Sequence, residues 1–437
     1  HSVYGLDGSP VAYLEREKGI VSKAWLFIGM RRGGDTYFAF DVTNPSEKPK
    51  LMWTISNNTT GFSDLGQTWS TPVVAKIPGS DKPRLIFGGG YNLGYDSGTG
   101  SNSDGRAVFI VEAETGALVH KLGATGNTLL SGMEDSVVGS IGTLDSNSDG
   151  YIDRLYAADL GGNVWRMDMP SATQSTWSGF KFAELGGALT SIDRKFFYEP
   201  VIAQTFFSNA TEMTVSTDTG TTKTISYQNV PYDAVTLGTG NRASPLDKAT
   251  EDMFFVLQDR NVISQTFGTN AKAVPSAITF ANLYNITSAA PSTETENIAF
   301  GQKLGWYYDF SMAGEKSLSP SAIIKGKVYF TSFIPTQSAA SKNSCTVSSL
   351  GRLYTLDLHK GARYTQEFID VCDNCIPQPP KIITPPIDPN TPNAIPEPVL
   401  IIGKGKCDEK GENCTGTVDI ESGLSTNKIY YHLDENN

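Results

Sequence analysis

Asp145, Asn147, Asp149 and Asp153 stand at positions 1, 3, 5 and 9 of one short stretch, with Gly150 at position 6. Short carboxylate and amide side chains at alternate positions converge on one point when the chain curls around it. A glycine at position 6 permits the sharp turn that closes the curl. Tyr151, at position 7, offers its carbonyl oxygen. An all-oxygen set without sulfur or imidazole suits a hard cation, here Ca2+. The three aspartates repel one another unless a cation lies among them. The stretch departs from the EF-hand, because position 12 is Tyr156 and not the bidentate glutamate of that pattern. Asp153 is the natural substitute. The other reading is an Asx-rich turn that binds nothing, since Asp, Asn, Ser and Gly are ordinary turn residues. Four oxygen side chains in register favour the cation loop. A nearby repeat, Ser101-Asn102-Ser103-Asp104-Gly105, has Gly100 and Val108 at positions 1 and 9. It lacks two ligands and is expected to be a plain turn.

The flanks of the loop predict strands. Val137–Ile141 precedes it, and Arg154–Ala158 follows and runs to a Gly161-Gly162 turn. The loop is therefore expected as the connection of a β-hairpin. The same kind of unit returns along the chain: an apolar strand, a turn, and a second strand ending near an acid. The copies pair 25–29 with 37–43, 84–89 with 107–116, 154–159 with 163–168, 234–238 with 253–257, and 327–331 with 351–357. Several follow a short opener: Ser9-Pro10, Thr71-Pro72, Glu199-Pro200 or Ser319-Pro320. Recurrence every few tens of residues, with two or more strands per unit, is the mark of a β-propeller. The expectation is an all-β, quinoprotein-like propeller spanning 1–437 as one domain, with about seven irregular blades carrying long insertions. A pair of β-sandwiches is the alternative, and the recurrence argues against it. Residues 209–229 and 268–300 read as polar hairpin insertions. Residues 376–398 are proline-rich and read as an extended arm without strand. Pro398–Gly403 and Lys428–Leu433 are expected to supply the last strands. Helix signals are sparse.

Composition agrees with an all-β chain full of tight turns: 437 residues with 43 glycines and 10% aromatics. A net charge of −11 argues against nucleic acid or an anionic membrane as the main partner. The sequence has no apolar run near the roughly 20 residues a membrane span needs. It shows no signal peptide either, and a targeting segment is expected upstream of His1. The five cysteines fall in the last quarter: Cys345, Cys372, Cys375, Cys407 and Cys414. Local disulfides in an oxidising, extracytoplasmic setting are favoured over a zinc site or a thioredoxin-like pair. The four histidines are far apart in sequence, and none sits beside a credible nucleophile. Gly238-Thr239-Gly240 reads as a turn, and Trp53, Trp69, Trp165 and Trp306 as packing between blades.

The ordered motifs GGDTYFAFDVTNP, LMWTI, LGQTWSTPVVAKI, LIFGGGYN, VFIVEAETGALV and DSNSDGYIDRLYAADLGGNVWRMD resemble the C-terminal propeller of the PilC/PilY family. These are large proteins associated with the tips of type IV pili. The resemblance covers most of 1–360 and is densest through 33–168. It implies a non-enzymatic propeller with a calcium loop at Asp145, Asn147, Asp149, Tyr151 and Asp153. It further implies pilus biogenesis, control of extension and retraction, twitching motility, and attachment to host cells. The implied partners are minor pilins at the pilus tip and a host-cell surface receptor. The implied location is the pilus tip, the cell surface or the outer membrane, with the periplasm in transit. A quinoprotein-like oxidoreductase is the alternative, although the adjacent cysteine pair frequent in such enzymes is missing. A purely structural adhesin, in which calcium only stiffens the loop, is another.

Overall fold

The structure is a computed structural model that describes residues 5–97, 104–187, 194–218, 220–336, 349–384, 398–403 and 415–418. Cys345, Cys407, Cys414, Ser101–Ser103 and the predicted strand Lys428–Leu433 lie outside the described residues.

Almost every regular element is a strand. The first sheet runs β1 (Val11–Glu17), β2 (Ile20–Gly29), β3 (Tyr37–Asp41) and β4 (Lys50–Ile55), each beside the next. The second follows with β5 (Val73–Ile77), β6 (Ser80–Gly88), β7 (Ala107–Glu112), β8 (Leu118–Gly123) and a short β9 (Thr128–Leu129). The third is β10 (Gly142–Leu144), β11 (Arg154–Ala158), β12 (Asn163–Asp168) and β13 (Ser178–Glu184). The fourth holds β14 (Val201–Thr217), β15 (Gly220–Gly238), β16 (Met253–Asp259), β17 (Tyr284–Asn285) and β18 (Gly305–Asp309), in the order 14-15-16-18-17. The fifth is β19 (Ala322–Ile324), β20 (Lys327–Pro335), β21 (Ser349–Asp357) and β22 (Arg363–Asp373). A sixth joins β23 (Lys381–Ile383), β24 (Val399–Gly403) and β25 (Thr415–Val418). Six sheets thus lie among the described residues, where about seven blades were expected.

All five strand pairs read from the sequence are antiparallel neighbours: β2–β3, β6–β7, β11–β12, β15–β16 and β20–β21. Three of the proline openers lead directly into β1, β5 and β14, and the fourth reaches β19 after Ser321. A proline there costs no ladder hydrogen bond, because it precedes the pairing. The middle strands β11 and β12 are buried along their whole length. Both of their faces are covered, so their sequences read as near-continuous runs and not as alternation.

The chain divides into two compact units, one chiefly His1–Pro200 with Ile263–Ile278, the other Val201–Val262 with Thr279–Tyr431. In the first unit, one core cluster gathers Trp25, Phe27, Tyr37, Trp53, Phe87 and Phe109. A second gathers Ile86, Ile110, Leu155, Trp165 and Met167. In the second unit Phe330 lies stacked between Phe254, at 3.7 Å, and Tyr354, at 4.9 Å between ring centres. The indole N–H groups of Trp53, Trp165 and Trp306 donate to Ala113 O, Asp159 Oδ2 and Leu358 O at 2.7–3.0 Å. Those three tryptophans pack the cores, as expected.

Three sequence expectations need correction. Val137–Ile141 is not a strand; the ladder begins at Gly142. Val137 instead bridges two loops, donating to Gly105 O and accepting from Gly90 N, both at 2.9 Å. Its β-branched, apolar character reflects burial and not pairing. Residues 268–300 are not a hairpin. They hold a short 3-10 turn, β17 and most of α1 (Glu294–Gly301). The helix opens with a capping box between Thr293 and Glu296. The arm 376–398 contains a strand, β23, which pairs Lys381–Ile383 with Val399–Ile401 of β24; 385–397 lie outside the described residues. Of the insertions, the hairpin reading holds at 209–229, within the long β14–β15 pair.

Candidate functional site

The loop from Asp145 to Asp153 is the connection between β10 and β11, whose last paired residues are Leu144 and Arg154. It is closed from within by its own side chains. Asp145 Oδ1 accepts from Asp149 N at 3.1 Å, and its Oδ2 accepts from Gly150 N at 2.7 Å. Asn147 Oδ1 accepts from Asp149 N at 3.1 Å, and Asp149 Oδ1 from Tyr151 N at 2.9 Å. Asn147 Nδ2 donates to Asp149 Oδ2 at 3.0 Å. Ser148 and Gly150 take φ of 60° and 90°, and the second falls on the glycine that the sharp turn requires.

The loop is fastened to its surroundings on two sides. Ile152 N donates to Lys76 O at 2.8 Å, and the Tyr151 hydroxyl bonds Asp81 at the start of β6. That carboxylate pushes the Tyr151 phenol up from its ordinary value. On the other side Asp153 is buried. Its Oδ1 accepts from Ser146 N at 3.0 Å and from Ser264 Oγ at 3.2 Å. Its Oδ2 accepts from Ser146 Oγ at 2.7 Å. Ser264 also accepts from Arg154 Nε at 3.2 Å. Behind it, Arg166 grips Asp168 with two bonds of 2.7 and 2.8 Å, and all three of Arg154, Arg166 and Asp168 are fully buried.

The arrangement gathers Asp145, Asn147, Asp149 and the Tyr151 backbone at one exposed turn, and turns Asp153 inward to two serines. Among the described residues no three His, Cys, Asp or Glu side chains are grouped so as to hold a metal ion. The donor set nonetheless suits a hard cation: it is all oxygen, and each carboxylate has about four lone-pair sites, not all of them filled. Ser146, Ser264 and Asp81 were missed from sequence. Ser264 is 111 residues from Asp153, and no spacing rule joins them.

A cavity of about 520 Å³ lies beside the loop, against β1, β5 and β10, with Gly150 and Ile152 on its wall. Its lining is mainly Val, Ala and Pro with Tyr13, Lys76 and Thr143, and no carboxylate takes part. The other end of these sheets is different. There the connections β2–β3, β4–β5, β6–β7 and β13–β14 bring together Trp69, Tyr91, Tyr95 and Phe197. Arg31 lies 4.7 Å over the Trp69 ring, and Arg32 pairs with Asp96 at 2.5 Å. Trp69 therefore packs in this aromatic and arginine cluster. Gly238-Thr239-Gly240 ends β15 and leads into a loop. Cys372 and Cys375 form a disulfide at the end of β22, a local bridge of the kind the sequence favoured without fixing its partners.

Successive small, chiefly antiparallel sheets, following one another along the chain, define the β-propeller class. Residues 1–275 match the family model described as the PilY1 beta-propeller domain, and the chain belongs to that family. It is 27% identical over 394 residues to the type IV pilus biogenesis factor PilY1 of Pseudomonas aeruginosa PAO1, covering 85% of this chain and 32% of that protein. It is 24% identical over 350 residues to the PilY1 homolog of Xylella fastidiosa Temecula1, covering 76% of this chain and 21% of that one. The chain thus spans a third or less of these relatives. The crystal structure of the Pseudomonas aeruginosa PilY1 C-terminal domain superposes with a TM-score of 0.59 at 21% identity, over 90% of this chain and 82% of that one.

Proposed function

We propose that this chain is the calcium-responsive propeller of a type IV pilus biogenesis factor. It acts outside the cytoplasm, at the pilus tip or cell surface, against minor pilins and a host-cell surface. Membership of the PilY1 propeller family and the pilus-biogenesis names of its relatives support the pilus role. The single observation that carries the ion is the β10–β11 connection, in which Asp145, Asn147 and Asp149 close one turn with their own oxygens. Asp145, Asn147, Asp149 and Asp153, with the Tyr151 carbonyl, would hold the cation. The ion would neutralise the crowded carboxylates and order the loop, shifting the population toward one docking state. Control of extension, retraction, twitching and attachment would result from such a switch. The proposed function is non-enzymatic, in keeping with relatives named as pilus biogenesis factors.

Calorimetric titration with CaCl2 tests the site. The wild-type chain should bind one Ca2+ with Kd on the order of 10⁻⁶ M. Asp145→Ala and Asp149→Ala should each weaken binding by about thirtyfold, the loss of one charged ligand. Unaltered binding in both variants overturns the site. In cells carrying Asp145→Ala, lost twitching marks a switch. Normal motility with lowered thermal stability marks an ion that only stiffens the adhesin.

A further inference from the structure

We infer that Ser264 is a positioning residue for the calcium loop, and that ion capture is relayed through it to the segment Ile263–Ile278. The inference rests on the calcium reading above and names its regulation. Three donors already occupy the Asp153 carboxylate: Ser146 N, Ser146 Oγ and Ser264 Oγ. With about four lone-pair sites in all, Asp153 cannot turn both oxygens to a cation and keep every donor. The two bonds from Ser146 come from inside the loop and travel with it. The bond from Ser264 is the longest of the three, at 3.2 Å, and it comes from outside. It is the one that yields.

The residues just after Ser264 hold it in place. Gln265 N donates to Asp168 Oδ1 at 3.3 Å, Thr266 Oγ1 to Thr176 O at 2.8 Å, and Phe267 N to Ser178 Oγ at 2.8 Å. The Phe267 ring packs on Phe180 at 4.8 Å and lies under the Arg166 guanidinium at 5.2 Å. At the far end of the segment Ile278 exchanges backbone bonds with β13, donating to Phe182 O at 2.9 Å and accepting from Glu184 N at 2.8 Å. The segment is thus a strap laid along the third sheet, and Ser264 is where it touches the loop. Ser264 also meets Ser146 Oγ at 3.2 Å and accepts from Arg154 Nε. When Asp153 turns to the ion, the Ser264 hydroxyl loses its carboxylate acceptor but keeps the Arg154 donor. The start of the strap loosens while the loop tightens.

Hydrogen–deuterium exchange on the whole chain, with and without saturating CaCl2, reads both movements. Calcium should slow exchange in a peptide covering 145–151 and speed it several-fold in one covering 263–268. Ser264→Ala removes the competitor and should bind Ca2+ about fivefold more tightly, the worth of one hydrogen bond. Its strap should exchange at one rate with or without the ion. Ser264→Thr keeps the hydroxyl and should restore wild-type affinity and response. If the loop slows while the strap is unchanged and Ser264→Ala binds like wild type, the relay is wrong and the calcium site stands. If the loop does not slow and no binding heat is seen, both are wrong.

Discussion

Replacing Asp168 with alanine is expected to lower the free energy of unfolding by about 4 kcal/mol. Asp168 sits at the end of β12, fully buried, with Arg166 bonded to both its oxygens and Arg154 Nε at 3.8 Å. An intact buried ion pair is a modest stabiliser, because desolvation consumes most of its attraction. Removing one member is costly, because the charges left behind stay in low dielectric. Here two buried guanidiniums would lose the carboxylate they share. Gln265 N would lose an acceptor as well, so the strap should loosen with the sheet. Urea unfolding followed by tryptophan fluorescence measures the loss. Because the chain forms two compact units, the transition carrying Trp165 is the one to follow. A loss under about 1 kcal/mol would show that water reaches the network and that the argument from burial fails.

The second large effect depends on pH. Asp159, in the β11–β12 turn, is fully buried and accepts from Gly161 N, Asn163 N, Asn163 Nδ2 and Trp165 Nε1. Gly162 completes this turn at φ 76°, where an added Cβ would lie 2.3 Å from Gly186. Burial, aided by the charge of Asp135, pushes the Asp159 carboxyl up from 3.8 to about 6, against the pull of its donors. A folded-state value above the unfolded one means that the native state holds its proton more tightly. The associated stability is complete below the unfolded value and is lost as pH rises through about 6. Two units correspond to about 3 kcal/mol. The stability of wild type relative to Asp159→Asn, whose side chain does not titrate, should therefore fall by about that amount from acid to neutral pH. Denaturant titrations of both proteins across that range check it, and parallel pH profiles would overturn it.

The strand pairs were legible because each is two apolar runs split by a turn or polar loop, and strands such as β11 and β12 are buried on both faces. The Asp145–Asp153 connection was legible because its polar residues are close together in sequence, so register alone places them between β10 and β11. What failed had a different physical basis. Val137–Ile141 has strand composition, but its burial serves contacts between loops. The capping box Thr293-Glu294-Thr295-Glu296 was in plain view, yet the helix it starts is too short for an apolar stripe to declare itself. Strand β23 hides between prolines, where three residues suffice because β24 supplies the ladder. Ser264 reaches Asp153 from 111 residues away, and such a contact leaves no local trace.

The Asp145–Asp153 loop and the Trp69–Tyr91–Arg31 cluster occupy opposite ends of the same three sheets. Two bodies can therefore grip this unit at once without crowding each other. A pull between them would run along the strands and not across them. In that direction the ladder bonds of each sheet are loaded together, in shear, and none is peeled away singly.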